Sequence, residues 1–229
     1  TNHQPPLWRR WMADQSQSQS QLPLQIQQGN PKSPLIEMAP PKVSESRKSL
    51  FVFIFAAFTF ILGYVAATQP SGAGWRFFSW HPFLMVAGFI GMMGSSVIIK
   101  KRGGYSNTKL HGILSFLGLC LAFGGLYIIY ENKERMGKNH ITTNHATMGI
   151  FTICAAILPA LAGGVFLHPD FGIDKTNRLY RFVHKWASRS IMAAAWITCV
   201  TGLMQLTADV KVLGAFVVPL AILAPMTLL

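Results

Sequence analysis

The sequence predicts an all-α integral membrane protein, a bundle of six transmembrane helices whose second to fifth members form a cofactor core. Three observations predict it. Half of the 229 residues are hydrophobic and only 12% are charged, too apolar for an ordinary soluble domain, and the apolar residues fall in six blocks of membrane-spanning length. Basic residues gather in alternate connections rather than evenly. Four consecutive apolar blocks each carry a histidine at or near their start, where an ionisable ring is costly unless it has a task.

The first 49 residues read as a disordered tail: Gln15–Gln21 alternates Gln and Ser, prolines are frequent and no apolar periodicity is present. The tail has no signal-peptide pattern, so the first span is expected to act as a signal anchor. Met12-Ala13-Asp14 reads as a natural start, which would put residues 1–11 outside the native chain. The bundle is expected over residues 50–229. Its first helix, Leu50–Thr68, carries neither charge nor histidine, and its Phe-rich face is expected against lipid.

Trp75, Phe77, Phe78 and Trp80 form an interfacial aromatic belt before the second helix, His81–Ile99, where Pro82 is tolerated in the first turn. Gly88, Gly91 and Gly94 in that helix suit either close helix packing or a flat macrocycle. The third helix, Leu110–Tyr130, begins beside His111; the fourth, His145–Leu167, ends near the turn at His168–Gly172; the fifth, His184–Leu206, and the sixth, Val212–Leu229, complete the bundle. Cys120, Cys154 and Cys199 lie within helices, form no CxxC pattern, and read as buried free thiols.

The net charge of +12 would suit a nucleic-acid partner, but its distribution argues against one. Lys32, Lys42, Arg47 and Lys48 precede the first span. Lys100, Lys101, Arg102 and Lys109 join the second to the third, and Lys175, Arg178, Arg181 and Lys185 the fourth to the fifth. All three groups fall on one side of a six-helix bundle, which the positive-inside bias makes cytosolic, together with both termini.

Alternating helix direction pairs the histidines. His81 and His145 share a depth on the outer side, His111 and His184 on the cytosolic side, and helical rise puts the two levels on the order of 20 Å apart. Two imidazoles without Cys or carboxylate neighbours under-supply zinc, copper or bare iron. Haem brings four nitrogens and needs only axial ligands; with both axial positions filled, electron transfer is the natural task. The bland alternative is that each ring merely hydrogen-bonds the backbone of a neighbouring helix.

Phe-Ser-Trp-His81-Pro-Phe-Leu-Met, Lys-Leu-His111-Gly, Asn-His145-Ala-Thr-Met-Gly and Phe-Val-His184-Lys-Trp-Ala-Ser resemble the four haem-ligand segments of the cytochrome b561 family, in particular its short six-helix branch. The outer loop from Glu131 to His140 is similar to that branch as well. The resemblance spans about Leu50 to Leu229. It implies two haem b groups, one on His81 and His145 and one on His111 and His184. It also implies one-electron transfer from cytosolic ascorbate to an outer acceptor, a ferric chelate or monodehydroascorbate, and makes homodimerisation a family expectation.

Lys100, Lys101, Lys109, Arg178 and Arg181 occupy places comparable to the family's ascorbate-binding cations, and Lys138 and His140 are the residues expected beside the acceptor. One departure is that the apolar-then-basic segment after the second helix survives only as Val97–Arg102, followed by two glycines. Two rivals stand beside this transmembrane oxidoreductase: a haem-binding sensor or scaffold without turnover, and a transporter that passes metal along its histidines.

Overall fold

In the computed structural model, which describes residues 45–228, the chain is helical throughout apart from its connections. The helices are α1 (Glu45–Ala67), α2 (Phe77–Lys100), α3 (Tyr105–Arg135), α4 (Asn144–Val165), α5 (Arg178–Met204) and α6 (Val210–Leu228). Helices α2 to α6 are each long and apolar enough to cross a membrane, and α1 adds the apolar stretch Val52–Ala67. Together they form the expected six-helix membrane bundle. The tail expected before Leu50 lies outside the described residues except for 45–49, which already belong to α1.

Several helices run past the hydrophobic blocks that announce them. α3 starts at Tyr105 and continues to Arg135, a turn and more beyond Tyr130. Its end is set by Gly137 at φ 61°, where Lys138 N–H donates to the Lys133 carbonyl and Gly137 N–H to that of Glu134, the double bond of a Schellman cap. α5 starts six residues before His184 because Asn177 Oδ1 accepts from the N–H groups of Leu179 and Tyr180. Thr143 caps α4 by accepting from Ala146 N–H. Caps rather than hydropathy set these boundaries.

α2 is the centre of the bundle and is not a uniform helix. It opens with a 3-10 turn at Phe77–Ser79, is α-helical over Trp80–Met85, widens to a π-helix over Val86–Met92, and returns to α geometry over Met93–Lys100. Its three glycines serve helix packing rather than a macrocycle. A Cβ on Gly88 would stand 2.6 Å from the Gly118 carbonyl oxygen of α3, one on Gly91 3.0 Å from Thr59, and one on Gly94 2.7 Å from the Phe55 ring. In lipid, where burying apolar surface against apolar surface gains little, such close approach is what holds helices together.

Phe55 is thus buried against α2, while Phe53 and Phe60 face outward, so the Phe-rich α1 meets lipid with only part of its aromatic surface. Phe89, Ile90, Ile153, Trp196 and Phe216 continue the core through the bundle. The cysteines are free, but Cys120 and Cys154 lie on the outer surface of their helices, not inside. The expected aromatic belt is present: Trp75 stacks on Tyr64 and meets Trp80 and Phe83 edge-on.

Candidate functional site

Antiparallel neighbours bring the four histidines together in two pairs. At the end where α2 and α4 start, the rings of His81 and His145 have centroids 6.3 Å apart and planes crossed at 81°. At the opposite end, where α3 and α5 start, His111 and His184 are 6.4 Å apart and crossed at 88°. The pairing expected from helix direction is the pairing observed.

Three of the four rings are hydrogen-bonded to the partner helix of their own hairpin. His81 Nδ1 lies 2.9 Å from the Gly125 carbonyl of α3, and His111 Nδ1 3.1 Å from the Ser96 carbonyl of α2. In the second hairpin His145 Nδ1 lies 3.1 Å from the Thr198 carbonyl of α5. For His184 the backbone group in reach is that of Pro159 of α4, but no bond of good geometry closes, and its Nδ1 is buried and unpaired. A carbonyl can only accept. In the three bonded rings Nδ1 therefore carries the hydrogen and Nε2 keeps its lone pair, the tautomer a metal-ligating imidazole requires.

Glycines leave space for two of the rings. A Cβ on Gly202 of α5 would stand 2.7 Å from His145 Cε1, and one on Gly163 of α4 3.1 Å from His184 Cε1. Neither these glycines nor the four carbonyls stand out in the sequence as functional, because a backbone oxygen has no residue-type signature. The detectable signal is the spacing: Gly163 and Gly202 each stand 18 positions after the histidine of their own helix.

The pair distances suit a metal held from two sides. An imidazole centroid lies roughly 1.1 Å from its ring atoms and a metal–imidazole bond is about 2.0 Å, so two in-line ligands put their centroids about 6.2 Å apart. Among the described residues no cluster of three or more His, Cys, Asp or Glu side chains could hold a bare ion. A metal that brings its own equatorial nitrogens fits this donor set, and space is present for one such group: a cavity of about 930 Å³ opens beside His81 and His145 and is mostly apolar-lined.

The mouth of that cavity carries Lys133, Lys138 and His140. His140 stacks on Tyr130 at 4.7 Å and places Nε2 2.6 Å from Glu134 Oε1. Both residues expected beside an acceptor are therefore brought to the edge of the cavity that holds the His81/His145 pair. Lys133 Nζ donates to the Asn139 carbonyl and acts electrostatically on His145.

The five cations expected to receive a donor are treated unequally. Lys100 is the cation near both His111 and His184, with Arg181 close enough to repel it, and donates to Thr108 Oγ1. Lys101 Nζ donates to the Met226 carbonyl at the end of α6, the favourable place for a cation on a helix. Burial, then Arg189 and Lys185, hold the Lys101 pKa below the usual lysine value. Lys109 is ion-paired with Asp170 at 2.9 Å, and Tyr105 hydroxyl donates to the same carboxylate. Arg181 Nε donates to the Lys175 carbonyl, and Arg178 forms the first turn of α5.

A multi-pass helical bundle with facing histidine pairs at both ends has the architecture and donor set of a membrane cytochrome. Residues 80–209 match the profile of the eukaryotic cytochrome b561 family, and the chain belongs to that family. Membership implies haem b. The transmembrane reductase CYB561D2 of Homo sapiens is 29% identical over 159 residues, 56% of this chain and 70% of that protein. Its Mus musculus counterpart is 30% identical over 104 residues, 42% of this chain and 47% of that protein. The transmembrane ascorbate-dependent reductase CYB561 of Bos taurus is 22% identical over 167 residues, 66% of each chain. The chain thus spans between 47% and 70% of the length of these relatives.

Proposed function

We propose that the protein moves single electrons across a membrane, from ascorbate on the cytosolic side to a ferric chelate or monodehydroascorbate on the other, through two haem b groups. The observation that carries this reading is the pair of facing imidazole pairs at opposite ends of one four-helix core. His81 and His145 would hold the outer group, His111 and His184 the cytosolic one. Haem so held supplies a one-electron iron couple with no open coordination position.

The chain's own residues do the rest. The carbonyls of Gly125, Ser96 and Thr198 fix the rings and their tautomer. Lys100 and Arg181, with Lys101, Lys109 and Arg178 around them, raise the local concentration of an anionic donor such as ascorbate. At the other end Lys133 and Lys138 give the cavity mouth a positive character suited to an anionic acceptor, and His140 stands where it can touch one. The reductase names of the CYB561D2 and CYB561 relatives support the direction of chemistry. The basic connections support a topology with both termini in the cytosol.

The test is a visible spectrum of the detergent-purified protein before and after ascorbate, with haem counted per chain. Two low-spin b-type haems reduced in steps by ascorbate are expected. A colourless protein, folded and expressed with adequate haem, would overturn the reading and favour metal transport. Haem that ascorbate fails to reduce would favour a sensor.

A further inference from the structure

The four histidines obey a spacing rule that one helix breaks, and the break coincides with the only π-helical segment among the described residues. Within each hairpin the two helices exchange favours: each supplies a ring and also the carbonyl facing its partner's ring. In α3 the carbonyl residue, Gly125, stands 14 positions after the histidine, His111. In α4 Pro159 stands 14 after His145, and in α5 Thr198 stands 14 after His184. In α2 the carbonyl residue, Ser96, stands 15 after His81.

Fourteen residues of α-helix make just under four turns and rise about 21 Å, which sets both the angle and the depth between ring and carbonyl. A fifteenth residue in an α-helix would turn the Ser96 carbonyl about 100° around the axis and lift it roughly 1.5 Å. It would then miss His111 if His81 still met Gly125. The hydrogen bonds show that α2 meets both. Between the two lies the seven-residue π-helix Val86–Met92, whose wider turns accommodate an additional residue within the same number of turns. Gly88 sits in this segment with its backbone against Gly118, so α2 and α3 cross tightly at the point where the register is adjusted.

We propose that the π-helix of α2 is a register device. It absorbs one surplus residue so that His81 and the Ser96 carbonyl both face α3, and through them it positions one ring of each histidine pair. Its seven members are positioning residues, not ligands. The inference rests on the reading of the four histidines as haem ligands, and its test separates the two.

Each residue from 86 to 92 is deleted singly in the full-length chain, and each residue from 115 to 121 of α3 as the control. Deletion in α2 leaves the 14-residue spacing of the other three helices, and a regular α-helix then suffices. At least one of the seven is expected to retain the parent's haem-to-protein ratio, its visible spectrum and both midpoint potentials. Every α3 deletion leaves 13 positions between His111 and Gly125 with no π-turn to release, and is expected to lose at least half of the haem. Seven failures in α2, or haem retained after an α3 deletion, would overturn the register argument while leaving the ligands standing. A haem-free parent would instead defeat the ligand assignment. The melting temperature of the purified proteins then decides the register question, kept by at least one α2 deletion and lowered by those in α3, or else the proposal falls.

Discussion

The two ends of the bundle arrange the same pair of imidazoles in different surroundings. Beside His81 and His145 a deep cavity reaches the α3–α4 connection, where Tyr130, His140 and Glu134 form a small stacked and hydrogen-bonded group. Around His111 and His184 the neighbours are cations: Lys100 and Arg181 close by, Lys101, Lys185 and Arg189 beyond. Ring separation and crossing angle are nearly equal at both ends. Equal ring geometry with unequal environment would let one fold tune two sites independently, because charge and access can change while the rings stay in place.

The largest break in this symmetry comes from removing a ligand. His145→Ala should halve haem content and erase the spectral component of the first end, and His184→Ala should do the same at the other; full haem retention in either variant would sink its assignment. Next is Gly88→Ala, whose Cβ would meet the Gly118 carbonyl at 2.6 Å. Because α2 and α3 each serve both ends, this change should destabilise the protein by about 1–3 kcal/mol and disturb both spectral components together. Thermal unfolding read beside haem absorbance checks it, with Gly149→Ala, whose Cβ stands 3.7 Å from Thr198, as the tolerated control.

A smaller effect separates the ends again. A nearby cation disfavours oxidised, more positive iron, so Lys100→Met should lower the midpoint potential of the His111/His184 site by on the order of tens of millivolts. Lys133→Met should do so only at the His81/His145 site. Redox titration with each component resolved checks this, and movement of both potentials in either variant would count against local tuning.

The smallest effect concerns Asp170. The Tyr105 hydroxyl, then the Lys109 ammonium, hold its pKa below the usual aspartate value. A lowered folded-state pKa contributes stability that is present above the unfolded value of about 3.9 and is lost as pH falls through the lower folded value. Asp170→Asn should therefore lower the melting temperature slightly near neutrality, with the difference from the parent vanishing in that acidic window. Both partners are well exposed to solvent, so the shift is small.

Much of this was legible in the residues. Six apolar blocks gave six helices, and alternating direction paired His81 with His145 and His111 with His184. The alternative in which a membrane histidine bonds a neighbour's backbone holds for three of the four rings, and it is compatible with the ligand reading. A ring has two nitrogens, one for the carbonyl and one for a metal. What was not legible is equally physical. The α3 extension to Arg135 depends on a glycine cap, the caps at Thr143 and Asn177 act outside the apolar blocks, and the π-helix follows from a spacing visible only once the carbonyl partners are known. Lys109, expected among the donor-binding cations, is ion-paired with Asp170, some 60 positions away, a partner that no local pattern announces.

The exchange of rings and carbonyls within hairpins has a consequence for biogenesis. α2 and α3 leave the ribosome before α4 and α5 and hold each other's histidine side chains, yet they carry only one ring of each histidine pair. No complete site exists until α4 and α5 have joined them. Chain synthesis therefore proceeds through a half-built intermediate with preset but single imidazoles at two depths. Under the proposed ligand assignment, stable haem capture awaits the emergence of His145 for one site and His184 for the other, which would order the maturation of the two ends.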